Sequence, residues 1–268
     1  RLMLQLPAAR LGTDPEGVHQ ARVASRRMRS DLKTFEPLLD ADWSKRLRSE
    51  LEWLLDALGA VRDTDVLGAK LSDVVDRHPE IDRDAAARVL AEVRTQHRRN
   101  RRRLLRHLND ERTMQLLDHL VAAAADPATL PSADRPARKT MPKLVRKRWK
   151  RLNRAIGRLG RHPQPSELHA IRILAKRLRY STEAVAPATR KQARKFAKDA
   201  AIIQDALGEL NDAAVTRSWL TESAERLDGP AAFAAGQVTQ QIANEARSQD
   251  KRWRAAHRSM TDRTKWFS

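Results

Sequence analysis

Apolar residues recur along most of this chain at spacings of three and four, the period of a helix that buries one side. Val18, Ala21, Ala24, Met28, Leu32 and Phe35 share one arc of a helical wheel. Leu168, Ile171, Ala175, Leu178 and Val185 share the matching arc of a second helix. Beside each apolar arc runs a line of cations. In the first helix it comprises His19, Arg22, Arg26, Arg29 and Lys33, within roughly a quarter of the circumference at about 100° per residue. In the second it comprises His169, Arg172, Lys176 and Arg179.

The same pattern predicts the other elements. Residues 1–12 read as the end of a helix or a connecting segment. Thr13-Asp14-Pro15-Glu16 opens the first striped helix, with a capping side chain, a proline at the first helical position and an acid. That helix closes near Pro37. Asp42 is placed to cap a second helix with Leu47, Leu51, Leu54, Leu58 and Val61 on its apolar side. A short segment to Arg77 follows, broken by His78-Pro79. A long helix then spans about residues 82–108 and carries a dense block, Arg98, Arg99, Arg101, Arg102 and Arg103. Residues 112–125 form another helix.

The second half repeats the plan. A helix over 143–161 buries Val145, Trp149, Leu152 and Ile156 and carries Lys147, Arg151, Arg154 and Arg158 on a different face. Pro163, Pro165 and Ser166 open the second striped helix, and Pro187 ends it. Residues 190–227 read as helical with an interruption near Gly208, and Lys191, Arg194, Lys195 and Lys198 give them a further cationic face. Asp228-Gly229-Pro230 is a turn, after which a last helix runs toward Trp266.

Two motifs recur at one offset. The stripe histidines lie 150 residues apart (19 to 169). Asp56-Ala57-Leu58-Gly59 with Asp63 reappears as Asp205-Ala206-Leu207-Gly208 with Asp212, the aspartates lying 149 residues apart (63 to 212). Such agreement argues for an internal duplication. The proline-rich stretch Asp126–Pro136 is the boundary it suggests, giving repeats over 1–128 and 129–268. With about four helices each, the expected architecture is all-α: two four-helix bundles related by a pseudo-two-fold axis.

Composition sharpens this picture. Nine glycines, eleven aromatic residues and no clustering of strand formers favour helix throughout. Lys and Arg number 53 against 34 acids, a net charge of +19. Such an excess repels itself unless a polyanion or counterions offset it, which points to nucleic acid, inorganic polyphosphate or an anionic membrane as partner. The chain has no cysteine, which excludes disulfides, thiolate metal sites and cysteine nucleophiles. No apolar run approaches the roughly 18 residues needed to cross a bilayer, so no membrane partner is expected.

Within the stripes the cations are not interleaved with acids at i+4, as a salt-bridged surface helix would show; Glu36 and Glu183 lie only at the far ends. A solvated basic face is the bland alternative; its recurrence in both repeats favours a polyanion site. Arginine forks onto phosphate oxygens and lysine supplies a mobile point charge. His19 and His169 hold equal places at the N-terminal end of each stripe, where an imidazole beside phosphate is favoured as the cation. No spacing accompanies either histidine that would build a metal site within one helix. Asp63 and Asp212 are read as orienting an arginine of their own bundle. The striped faces are poor in aromatics, Tyr180 being marginal, which counts against base-stacking recognition of single strands. Neither a phosphate-binding glycine loop nor zinc-finger spacing is present.

The paired pattern HxxR-xxx-[RK]R-x-R, each copy followed by LG-xxx-D, resembles the CHAD family of conserved histidine α-helical domains. The resemblance spans about Asp14 to Phe267. It implies two pseudo-symmetric four-helix bundles forming one domain, non-enzymatic binding of inorganic polyphosphate along a basic central channel, and association with polyphosphate granules. The ligand residues it implies are His19, Arg22, Arg26, Arg27 and Arg29, and His169, Arg172, Lys176, Arg177 and Arg179. Arg27 and Arg177 sit about 120° off the stripe centre on the wheel, and Lys176 stands where the first copy has Arg26. CHAD units often follow a CYTH-type triphosphate-processing domain, whose ExExK signature is absent from this stretch; a fused domain ahead of Arg1 would lie outside it.

The expectation is therefore a cytoplasmic, all-α module that binds polyphosphate without catalysis or cofactor. Lys33, Lys147, Arg151 and Lys195 extend its cationic faces. The rival readings are a nucleic-acid-binding helical protein, a metal-dependent phosphohydrolase using His19 and His169, and a scaffold whose charge serves solubility.

Overall fold

The computed structural model describes residues 1–189 and 191–264; the side chain of Lys191 and the residues Trp266 and Phe267 lie outside this description. Ten α-helices are assigned: α1 Leu2–Leu11, α2 Pro15–Phe35, α3 Ala41–Arg77, α4 Arg83–Asn109, α5 Glu111–Ala125, α6 Ala137–Ile156, α7 Pro165–Val185, α8 Lys191–Ala224, α9 Gly229–Ala246 and α10 Gln249–Thr261. Among the described residues no strand occurs, only an isolated antiparallel bridge between Leu39 and Thr129. The all-α expectation holds.

Several boundaries differ from the sequence pattern, each for a physical reason. Residues 2–11 are helical despite Pro7, because Leu2 and Ala9 are buried and Leu6 packs on the same core. Asp40, not Asp42, caps α3 by accepting from Trp43 N at 2.8 Å. The interruption expected after Val61 is absent: α3 continues to Arg77 because Leu67, Leu71, Val74 and Val75 prolong its buried side. Gly208 likewise lies inside an unbroken α8. In α7 Gln164, not Ser166, is the cap: Pro165 is the first helical residue, and Glu167 Oε2 accepts from Gln164 N at 2.7 Å. The last helical stretch is two helices, α9 and α10.

The chain divides into two compact units, Arg1–Ala133 with Leu220–Val238, and Asp134–Trp219 with Thr239–Ser268. In the first, α2 packs on α1 and α3, and α3 on α4. Val18, Ala21, Leu51, Leu54, Leu58, Leu104 and Leu116 are among its core residues, with Ala24, Met28 and Leu32 of the striped helix partly buried against them. The proline-rich stretch folds back onto this unit: Asp40 N donates to Ala128 O and Leu130 N to Leu38 O, both at 2.9 Å. In the second unit α6 packs on α7. Val145, Leu152, Ile171, Leu178 and Trp253 are buried there, and Trp149 meets Phe196 edge-on at 5.4 Å.

Candidate anion-binding site

Packing of the apolar arc decides where the stripe goes. With Val18, Ala21 and Ser25 buried, the neighbouring arc of α2 lies along α3 and carries the half-buried His19, Arg22 and Arg26. Arg22 is then laid across Gly59: a Cβ added to that glycine would stand 3.7 Å from Arg22 Nε and Nη2. One turn further along α3, Asp63 Oδ1 receives Arg22 Nη2 at 3.1 Å. The LG-xxx-D motif thus has a structural account. The guanidinium lies over the glycine, at ordinary van der Waals distance from where a Cβ would stand, and the aspartate four residues on holds its end.

The second unit repeats half of this. Arg172 lies over Gly208, with Nε 3.6 Å and Nη2 3.8 Å from the added Cβ, and its Nε is buried without a hydrogen-bond partner. Asp212 departs from the expected role: its Oδ1 accepts from Asn211 Nδ2 at 3.4 Å. Asn211 Oδ1 in turn meets His169 Nδ1 at 2.5 Å.

Acids reach the stripe cations from the facing helix, as well as from Glu36 and Glu183 at the far ends. From the facing helix, Asp63 meets Arg22, Glu52 meets Arg29, and Asp205 lies 3.8 Å from Arg179. Within the stripe helices and their ends, Glu183 accepts from Arg179 Nε at 2.8 Å and Glu36 Oε2 binds Lys33 at 2.7 Å. All these pairs are partly exposed, where an ion pair contributes about 0–1 kcal/mol. A phosphate chain competes for such arginines at little cost.

Arg27 and Arg177 are exposed on the flanks, as their wheel positions require. Lys147, Arg151 and Arg154 are exposed on α6 and Arg158 just beyond its end, as are Arg194, Lys195 and Lys198 on α8. The arginine block of α4 is divided. Arg101 turns to α1, where its guanidinium bonds the terminal carbonyls of Ala9 and Arg10 and covers Gly12, whose φ of 70° ends that helix in the left-handed region. Arg98, Arg99, Arg102 and Arg103 are exposed.

One residue near the stripe escaped the sequence reading. Arg62 stands on α3 between Gly59 and Asp63. Burial lowers the His19 imidazole below its ordinary value. Arg62 is the strongest of the neighbouring charges acting in the same direction; Glu16 opposes, and Arg26 and Arg22 add to the lowering. Burial is also the first cause of lowering at His107 and His257. The unfolded chain therefore takes up these protons at higher pH than the folded chain. The stability linked to them is present above the unfolded value of about 6.5 and is lost as pH falls through it toward the lower folded values. Thermal melts of the free protein should show Tm falling between pH 7.5 and 5.5; a rising Tm over that interval would contradict the assignment.

Comparison with known proteins fits this geometry. The CHAD domain family profile matches residues 2–221. The chain belongs to the CHAD family. It is 32% identical over 252 residues to protein Rv2226 of Mycobacterium tuberculosis strain H37Rv and 31% identical over the same length to MT2285 of strain CDC 1551. Each match covers 91% of this chain and 48% of the relative, so the chain spans about half the length of these proteins. Among solved structures, the CHAD domain from the plant Ricinus communis aligns with a TM-score of 0.67 and 26% identity, covering 96% of this chain and 86% of that one. PptA from Streptomyces chartreusis shares the fold, with a TM-score of 0.78 and 21% identity over 95% of this chain and 94% of that one. No described helix is long and apolar enough to cross a membrane. Among the described residues no group of three His, Asp or Glu side chains is arranged to hold a metal ion.

Proposed function

We propose that this CHAD domain binds inorganic polyphosphate without chemical turnover, through the two histidine-led cationic faces of α2 and α7. The observation that carries the reading is the repetition itself. Each unit lays an arginine of its striped helix over a glycine of the facing helix, Arg22 on Gly59 and Arg172 on Gly208, in a chain of net charge +19. This fixes part of the guanidinium's conformation before a ligand arrives, which lowers the ordering cost of binding. Arg26, Arg29 and Lys33, with Lys176 and Arg179, continue each face for successive phosphates. Exposed Lys147, Arg151 and Lys195 add charge at the flanks. Mechanistically the domain exchanges condensed counterions for protein cations, and no bond of the ligand is broken. In the cell this corresponds to a cytoplasmic protein associated with polyphosphate granules.

Competition between long-chain polyphosphate and duplex DNA or RNA at matched charge tests it. Polyphosphate should win at near-physiological salt. Its affinity should fall steeply with salt, by about 10³–10⁵ between 50 and 200 mM for six to ten phosphate contacts if the relation for DNA carries over. Equal or better binding of duplex would overturn the reading in favour of a nucleic-acid binder. Divalent-dependent phosphate release that vanishes with His19 or His169 would favour a phosphohydrolase.

A further inference from the structure

The duplication lets each residue of one half-site be compared with its counterpart, and beside the stripe histidine the chemistry changes. Gly59 and Asp63 correspond to Gly208 and Asp212, each 149 residues on (59 to 208, 63 to 212). The same register pairs Arg62 with Asn211. Both act on the stripe histidine of their own unit. Asn211 touches His169 directly, Oδ1 to Nδ1 at 2.5 Å, while Arg62 is the leading charged influence on His19. Arg62 is also three residues from Gly59, over which Arg22 lies, and residues three apart are neighbours on a helix.

The two neighbours have opposite consequences for an arriving anion. Asn211 is neutral, and its amide is oriented by Nδ2 donating to Asp212 Oδ1 at 3.4 Å. Its Oδ1 therefore accepts from His169 Nδ1–H, which leaves Nε2 as the ring nitrogen that donates to a phosphate oxygen when the ring is the cation. Arg62 carries a permanent charge and five donors, and it accepts nothing from His19. At this position the first half-site thus holds a fixed cation that the second lacks.

We propose that Arg62 is a ligand of the first half-site and that the two half-sites are unequal: a phosphate oxygen meets the Arg62 guanidinium in the first and His169, steadied by Asn211, in the second. This rests on the polyphosphate reading. It predicts that the first half-site is the tighter and the more salt-sensitive.

The test is the salt dependence of long-chain polyphosphate binding to the whole chain, measured for Arg62→Asn, Arg62→Lys, Asn211→Arg and the Arg62→Asn/Asn211→Arg exchange. Losing one phosphate contact should reduce the magnitude of the log–log salt slope by about 0.7–0.9. Arg62→Asn should show that reduction with a roughly tenfold weaker Kd, the low end for a charge-assisted contact. Arg62→Lys should keep the slope. Asn211→Arg should steepen it by a similar amount, and the exchange should return it close to wild type. Thermal melts of each variant separate binding from folding: a merely structural Arg62 would lower Tm and leave the slope unchanged. An unchanged slope in folded Arg62→Asn, or no steepening in folded Asn211→Arg, overturns the proposal while polyphosphate binding stands. Failure of the wild type to bind polyphosphate overturns both.

Discussion

Changing Arg22, Arg26, Arg172 and Lys176 together to glutamate is expected to weaken polyphosphate binding by about four decades. Charge-assisted hydrogen bonds contribute about 1.5–3 kcal/mol each, so four lost at the low end amount to roughly 6 kcal/mol, about 10⁴-fold in Kd. Repulsion from the new carboxylates adds to this. The fold should survive, since the Arg22–Asp63 pair has side chains 29% and 66% exposed and exposed pairs contribute little. Circular dichroism and thermal melts check that. A glutamine version of the same four positions removes the contacts without setting a new carboxylate against Asp63, and it should lose a large part of the same affinity. Wild-type binding by a folded glutamine variant would mean that these four side chains do not hold the ligand.

The second large effect concerns Gly17, two residues before His19. It packs directly against the backbone of α1. A Cβ there would stand 2.7 Å from Ala8 C and Ala9 N and 2.8 Å from Ala8 Cβ. Those are backbone atoms with a methyl beside them, so no flexible side chain can move aside. Gly17→Ala should therefore destabilise the protein by about 1–3 kcal/mol, the range for overpacking, even though alanine is the better helix former. For a chain of this size that corresponds to roughly 2–4 °C of Tm per kcal/mol, or more than about 2 °C in total. Gly59→Ala is the internal comparison. Its Cβ would meet Arg22 at an ordinary 3.7 Å, so the helix-propensity gain of up to about 1 kcal/mol should leave Tm unchanged or raised. Equal responses of the two variants would contradict this account.

The two glycines also show what a one-dimensional reading misses. Both sit in helices whose periodicity was legible, yet the pattern offered no reason for either. Gly17 answers to α1 and Gly59 to Arg22, partners that only packing brings near. Gly208 reads as an interruption for the same cause: glycine normally weakens a helix interior, and the guanidinium of Arg172 that occupies its empty side is invisible until α7 lies on α8. Arg62 is a different case. The offset linking Asp63 to Asp212 also linked Arg62 to Asn211, so the asymmetry stood in the sequence. Without the histidines beside them, nothing distinguished that pair from other unlike residues in the two repeats.

The sequence by itself determined the helical class, the apolar arcs, the start of α2 at Asp14-Pro15 and the ends of α2 and α7 before Pro37 and Pro187. It also determined that two histidine-led lines of cations recur at one register. These are properties of residues within a few turns of each other, which backbone sterics, capping and a 3.6-residue period decide locally. Only the tertiary structure decided that Asp63, Glu52 and Asp205 reach stripe arginines, that Arg101 leaves its block to close α1, and that α3 and α8 run on through the expected breaks. Each of those depends on where one helix crosses another, a quantity set by side-chain volumes at the crossing and carried by no single stretch of chain.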